Sequence, residues 1–252
     1  MPIAHSSNLS THNYGAGIWR IFLLCYICFL IVVLRIKASR QRHNRMKDLN
    51  YKGILLLLFF VYFFILMLQI TLRYIPLGSD VAFLQIKQTE VGTVKSYLPI
   101  FYVHVYSAIF VLLAGITQFN SRIQTRYKKV HKVSGYFYAG VVLLLAAPSG
   151  IFIGCFANGG VIAKVSFVLL GLLWFYFTLK AIILVLKADI INHKKYMWRS
   201  FALACSAITL RLWKVVLVYL FHPAPMDVYQ IIAWLGWIPN LLIAEWLIKR
   251  KI

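Results

Sequence analysis

The stretch DIINHKKYMWRSFALACSAITLRLWK, residues 189–214, carries basic side chains into a segment that otherwise reads as a membrane-spanning helix. At helical steps of three and four, His193, Met197, Ser200, Ala204, Ala207, Arg211 and Lys214 share one stripe. Phe201, Leu203, Ile208, Leu210 and Trp213 point elsewhere. The stripe is small and polar, so it is expected to face protein rather than lipid. Arg211 lies about 15 Å from the helix end near Phe221 at ~1.5 Å per residue, close to the middle of a ~30 Å hydrocarbon layer. No acidic residue follows it in this helix.

The composition agrees with a membrane setting. Of 252 residues, 62% are hydrophobic and only 13% charged, which excludes an ordinary soluble domain and predicts one integral membrane domain. A net charge of +21 would suggest a nucleic-acid partner in a soluble protein. Here the basic residues cluster in short loops between apolar runs, so topology explains them and no nucleic acid is expected. The cysteines at 25, 28, 155 and 205 all lie in apolar segments, which argues against a disulfide framework or a zinc ribbon. Cys25 and Cys28 form a CxxC at helical spacing and are read as packed or lipid-facing thiols.

Seven spans are expected, at about 18–34, 54–74, 98–119, 133–156, 162–186, 197–221 and 228–248, after a polar segment 1–17. The loops 35–53 and 120–134 and the terminal Lys249, Arg250 and Lys251 are basic and fall on one side, which predicts an outer amino terminus and a cytoplasmic carboxyl terminus. Residues 75–97 read as an outer loop in which Val81 to Ile86 form a short interfacial helix. The third span has a polar stripe of its own: His104, Ser107, Ala108, Gly115, Gln118 and Arg122. The fourth aligns His131, Gly135, Tyr138, Val142, Leu145 and Ser149, with Pro148 as a kink and the only clear mid-helix break. Helices three, four and six should therefore line a shared interior, with the first two peripheral.

The segments DVAFLQIKQ, FYVHVYSAIFVLLAGITQF, YKKVHKVSGYFYAGVVLLLAAPSG, FANGG and HKKYMWRSFALACSAITLRLWK resemble a bacterial family of predicted membrane proteins, catalogued as domain of unknown function twenty-three oh six. The resemblance covers roughly residues 75–220. It rests on His104, Gln118, Arg122, His131, Gly135, Tyr138, His193, Met197, Arg199, Ser200 and Arg211. It implies a multi-spanning protein of the bacterial cytoplasmic membrane and carries over no assigned activity.

Two groups of polar residues could carry chemistry. Gln118, Arg122, His131, Tyr138, His193 and Arg199 lie near the cytoplasmic interface. His104, about 9 Å into its helix, and Lys214, about 10 Å from the end of its own, lie with Arg211 toward the outer side. His131 and His193 each precede a polar stripe and could approach at one depth, as the axial ligands of a haem b must. Arg122, Lys132 and Arg199 would then face propionates. Arg199 alone reads as a side chain snorkelling to headgroups. Arg211 is a candidate for carbonyl oxygens at the Pro148 kink or for an anionic or quinone oxygen, because a central Arg costs about 2.5–3.5 kcal/mol on translocon scales. Glu245, the only acid inside a span, lies too far down to meet it.

The expected function is a membrane redox or cofactor-binding protein using haem b or quinone, with His131, His193 and His104 as ligands or proton relays. The alternatives are a carrier or binding protein for a small anionic or lipid-like ligand held by Arg211, Lys214 and His104, or a non-catalytic assembly partner. No metal centre is expected, and nucleotide-loop, zinc-protease and nucleophile-elbow motifs do not occur.

Overall fold

The computed structural model describes residues 51–75, 77–222 and 225–252. The expected segment 1–17, the span 18–34, most of the basic loop 35–53, and Cys25 and Cys28 lie outside the described residues. The chain divides into two units, Met1–Phe59 and Phe60–Ile252. Of the first, only residues 51–59 are described, as the start of helix α1, Tyr51–Leu72. The second unit is described below.

Every regular element among the described residues is helical. After α1 come a 3-10 helix, Ala82–Lys87, and the short α2, Gln88–Thr93. Helices α3, Tyr97–Gln118, α4, Ser121–Arg126, and α5, Lys128–Val141, follow. A π turn over Val142–Ala146 leads into α6, Ala147–Cys155. The rest of the chain forms α7, Gly160–Leu186, α8, Ile190–Ala204, α9, Ser206–Phe221, α10, Pro225–Leu235, and α11, Ile238–Lys251. Four stretches are long and apolar enough to cross a membrane: Tyr97–Gln118, Lys128–Cys155, Gly160–Leu186 and Val228–Arg250; α8 and α9 make a fifth if their bent pair is one span.

Local sequence accounts for the ends and faces of these helices. Gly159 and Gly160 turn the chain at φ 91° and 72°, a region that costs glycine nothing, and start α7. At the other end of α7 the carboxylate of Asp189 accepts the Asn192 N–H (3.1 Å) and Asn192 Nδ2 (2.7 Å), capping α8. Those bonds hold the Asp189 carboxyl below the ordinary carboxylate range. Along α7, Val161, Val165, Leu169, Leu172, Tyr176 and Leu179 form an exposed apolar stripe. Ala163, Ser166, Gly171, Trp174, Thr178 and Ala181 form the buried one. A helix apolar on its exposed face is suited to lipid.

Four expectations change. First, the interior stripe of the fourth span does not continue through Leu145, which is 45% exposed, while Ala146 is fully buried. Pro148 has no N–H for the carbonyl four residues earlier. The helix loosens into a π turn, in which the Ala147 N–H reaches back to Val142 O, and the extra residue rotates the face by one position. Second, the sixth span is not continuous: α8 and α9 meet at Cys205 with a bend of 41°. Third, the last span is interrupted between Leu235 and Ile238. These two breaks bridge each other. Thr209 Oγ1 donates to Gly236 O, and Asn240 Nδ2 reaches Ala202 O (3.2 Å) and Thr209 Oγ1 (2.9 Å). Pro148 therefore does not mark the only interrupted helix. Fourth, the 82–93 segment is no free interfacial helix. Leu84 is fully buried, Phe83 stacks on Phe101 at 6.1 Å, and Lys87 is buried beneath the segment.

The largest core cluster joins α3, α5, α7, α8 and the last helices through residues such as Val111, Tyr138, Trp174, Met197, Phe201 and Trp237. This is where the expected polar stripes meet. The protein is an integral membrane protein.

Candidate functional site

The small and polar positions of α3, α5 and α8 bring two groups of side chains together. At the end bearing the basic loops, Gln118 is buried and its Nε2 donates to Ser134 Oγ (2.6 Å) and to His131 O (3.3 Å). Gly135 permits this approach, since a Cβ there would stand 2.9 Å from Gln118 Oε1. His131 stands one turn into α5, half-buried, with its Nδ1 enclosed and without a hydrogen-bond partner. His193 stands one turn into α8, where its Nδ1 lies 2.8 Å from Ala181 O. A carbonyl only accepts, so that nitrogen carries the proton and Nε2 keeps its lone pair.

Deeper in the same helices, Tyr138 Oη meets Ser200 Oγ at 2.8 Å, and Ser200 Oγ meets Thr178 Oγ1 at 2.7 Å. Thr178 in turn donates to Trp174 O (2.7 Å), so a chain of fully buried hydroxyls ties α5, α8 and α7 together. Buried polar groups cost stability unless paired, and removal of the central member leaves its neighbours short of a partner. Ser200→Ala is accordingly expected to cost about 1–3 kcal/mol. Adding Tyr138→Phe should recover part of it, read as a double-mutant cycle in detergent-based unfolding. A purely additive cycle would mean that the Tyr138 and Ser200 hydroxyls contribute independently.

Arg199 does not snorkel. It forms a two-point ion pair with Glu245 of α11, Nε to Oε1 at 2.5 Å and Nη2 to Oε2 at 2.9 Å, and lies 4.9 Å above the Tyr196 ring. Sequence reasoning missed this because its acid is 46 positions away. Arg122 falls in α4, and its side chain is outside the described residues.

The second group lies away from the basic loops. His104 Nδ1 is 3.0 Å from Ala146 O, at the π turn, and 3.3 Å from Ser149 Oγ. His104, rather than Arg211, serves the irregular backbone beside Pro148. Arg211 Nη1 donates to Ala207 O of its own helix (2.5 Å), and its charge acts on Tyr74, Tyr229 and His104. Neither tyrosine was singled out from sequence. Lys214 is exposed and does not join this group.

No group of three or more metal-ligating side chains occurs among the described residues. No curated protein and no solved structure matches the chain. A family model described as "Predicted membrane protein (DUF2306)" matches residues 101–248. The match begins after the DVAFLQIKQ segment and ends within α11, so it leaves out the 82–93 segment, a strap tied to the end of α6 through Lys87, and includes Glu245, where the expected extent was about 75–220. It spans more than half of the chain and all of the helices that carry the two polar groups, and the protein belongs to this family of predicted membrane proteins.

Proposed function

We propose that this protein is a membrane redox or cofactor-binding protein that holds a haem b between His131 and His193, near the cytoplasmic face. The observation that supports the reading is the presentation of His193, whose Nδ1–H is committed to Ala181 O, with His131 likewise one turn into its own helix and its Nδ1 without a partner. Haem and metal ligands commonly have this arrangement, in which a backbone carbonyl fixes the tautomer and presents Nε2. Both residues stand one turn inside their helices and would hold the haem by their imidazoles at the end bearing the basic loops. Arg199 is committed to Glu245 and drops out as a propionate partner. Lys132 and Lys194, exposed at the same end, are the cations that would face the propionates.

A haem so held would pass single electrons; this chain's own part is to orient the two imidazoles and exclude water. His104 is not part of the pair, since 14 helical residues separate it from Gln118, about 21 Å along the axis. The test is an absorption spectrum of protein from haem-sufficient cells, oxidised and dithionite-reduced. The expected result is a Soret band and a reduced α-band, lost in His131→Ala and in His193→Ala and kept in His104→Ala. A colourless, monodisperse wild-type preparation, or bands indifferent to both substitutions, would reject the proposal.

A further inference from the structure

We propose that Arg211 and His104 form a second site, independent of the haem reading, that binds the anionic oxygen headgroup of a single-chain amphiphile. Three elements set its level. Met67 of α1 and Ile109 of α3 pack in one cluster with Ala207 and Ile208 of α9. From that common floor, Tyr74 lies seven residues on, His104 five residues back and Arg211 three to four residues on. All three move away from the floor in the same direction, because α3 runs opposite to α1 and α9. Above them, Tyr74 packs with Phe101 and Tyr102 in a separate aromatic cluster. Arg211 and His104 therefore occupy a layer between two apolar clusters.

Several observations make that layer a site rather than filler. Arg211 and His104 are each only partly exposed, at one level of the bundle. Both ion pairs among the described residues are made elsewhere, by Lys87 with Glu90 and by Arg199 with Glu245. A single Ala207 carbonyl takes one of the five donors of Arg211 and neutralises no charge. Burying a guanidinium in a membrane interior without a counter-charge is costly, and intramembrane cations mark ligand sites. The surrounding backbone fits: the π turn beside His104 and the break at Cys205 below Arg211 are the kind of irregular helix that membranes tolerate where it is buried or lines a cavity.

The recognised chemistry follows. Arg211 offers a two-point fork to a carboxylate or phosphate. His104, with its Nδ1–H committed to Ala146 O, offers an accepting Nε2 when neutral, which suits the P–OH of a monoanionic alkyl phosphate and has no donor to meet on a carboxylate. The surroundings above and below are apolar, in a segment suited to the membrane interior, which favours a headgroup carried on a hydrocarbon chain over a soluble metabolite.

The test is binding to the purified full-length protein, by thermal shift and calorimetry, of three probes with similar tails: myristate, dodecyl phosphate and myristyl alcohol. At least one of the two anions should bind, the stronger one identifying the headgroup, and the alcohol should bind about tenfold more weakly or not at all. Arg211→Gln should lower the anion's affinity by about tenfold or more, Arg211→Lys by less, and the exposed Lys214→Gln should leave it unchanged. If Arg211→Gln fails to fold, the wild-type contrast between anion and alcohol still decides. Equal binding of alcohol and anions, no response to either anion, or full affinity in a folded Arg211→Gln protein would overturn the site. Loss of haem in the histidine variants bears only on the other proposal.

Discussion

Glu90→Ala should loosen the 82–93 segment far more than Lys87→Met. Lys87 is 1% exposed, and its ammonium is held by Glu90 Oε1 at 2.6 Å and by the carbonyl of Phe156, where α6 ends, at 2.5 Å. Removing the carboxylate leaves a positive charge enclosed with one carbonyl for company; removing one partner of a buried pair costs about 3–5 kcal/mol. Glu90 keeps 24% exposure, so the low end of that range, about 3 kcal/mol, is the expected loss. Lys87→Met instead replaces the buried stem with an apolar one and leaves Glu90 to water, and the double variant should resemble Lys87→Met. A loss of 3 kcal/mol corresponds to about 100-fold faster exchange of the segment's amide hydrogens where exchange proceeds by local opening. Equal or reversed effects of the two single substitutions would show that the ammonium is not the costly partner.

The same pair sets a pH response. Burial alone would raise the Glu90 carboxyl, but its hydrogen bond and charge contact with Lys87 outweigh that and hold it below the ordinary range. A group depressed in the folded state contributes its full stability above its unfolded value, about 4.3, and loses it as pH falls through the lower folded value. The strap should therefore loosen only in acid, below about pH 4, and Glu90→Gln should remove that response.

How much of this was legible in the sequence depends on the range of the interaction. The span 98–119 is realised as Tyr97–Gln118 because a continuous apolar run defines its own limits. Of the stripes read at three- and four-residue steps, Ser107, Gln118, Tyr138, Met197 and Ser200 are buried, since helical periodicity is a local property, while Leu145 and Lys214 are exposed. What failed to show was pairwise. A lysine in a polar loop looks exposed until Phe156, 69 positions away, encloses it. Thr178 sits in a run that reads as apolar throughout, and only Ser200 on the next helix explains it. The break at Cys205 has no proline or glycine; its stabilising groups, Asn240 and the Gly236 carbonyl, belong to another span. Arg211 was recognisable as anomalous from its depth alone, whereas Tyr74 and Tyr229 beside it could be found only by folding the chain.

Gly115→Val should be among the most damaging single substitutions in the bundle, for a reason of volume. A Cβ at Gly115 would run into the ring of Phe201 and lie 3.3 Å from Tyr138 Cε2. Neither neighbour can retreat. Tyr138 is fully buried and bonded to Ser200, and Phe201 is wedged against Phe119 with ring centroids 4.7 Å apart. Overpacking a filled core costs about 1–3 kcal/mol for an added methyl or two, and a β-branched side chain at a helix crossing should reach the upper end. Gly115→Ala should cost less, and Phe201→Leu in that background should restore part of the loss by opening the space. Gly140 supplies the control, because a Cβ there meets nothing within 4 Å and Gly140→Ala should not destabilise. The helices that meet at Gly115 also carry His131 and His193, so Gly115→Val should weaken the proposed cofactor site while leaving both histidines in the sequence. Retained thermal stability in Gly115→Val would mean that α3, α5 and α8 do not meet as closely as this core requires, and the pairing of the two histidines would fall with it.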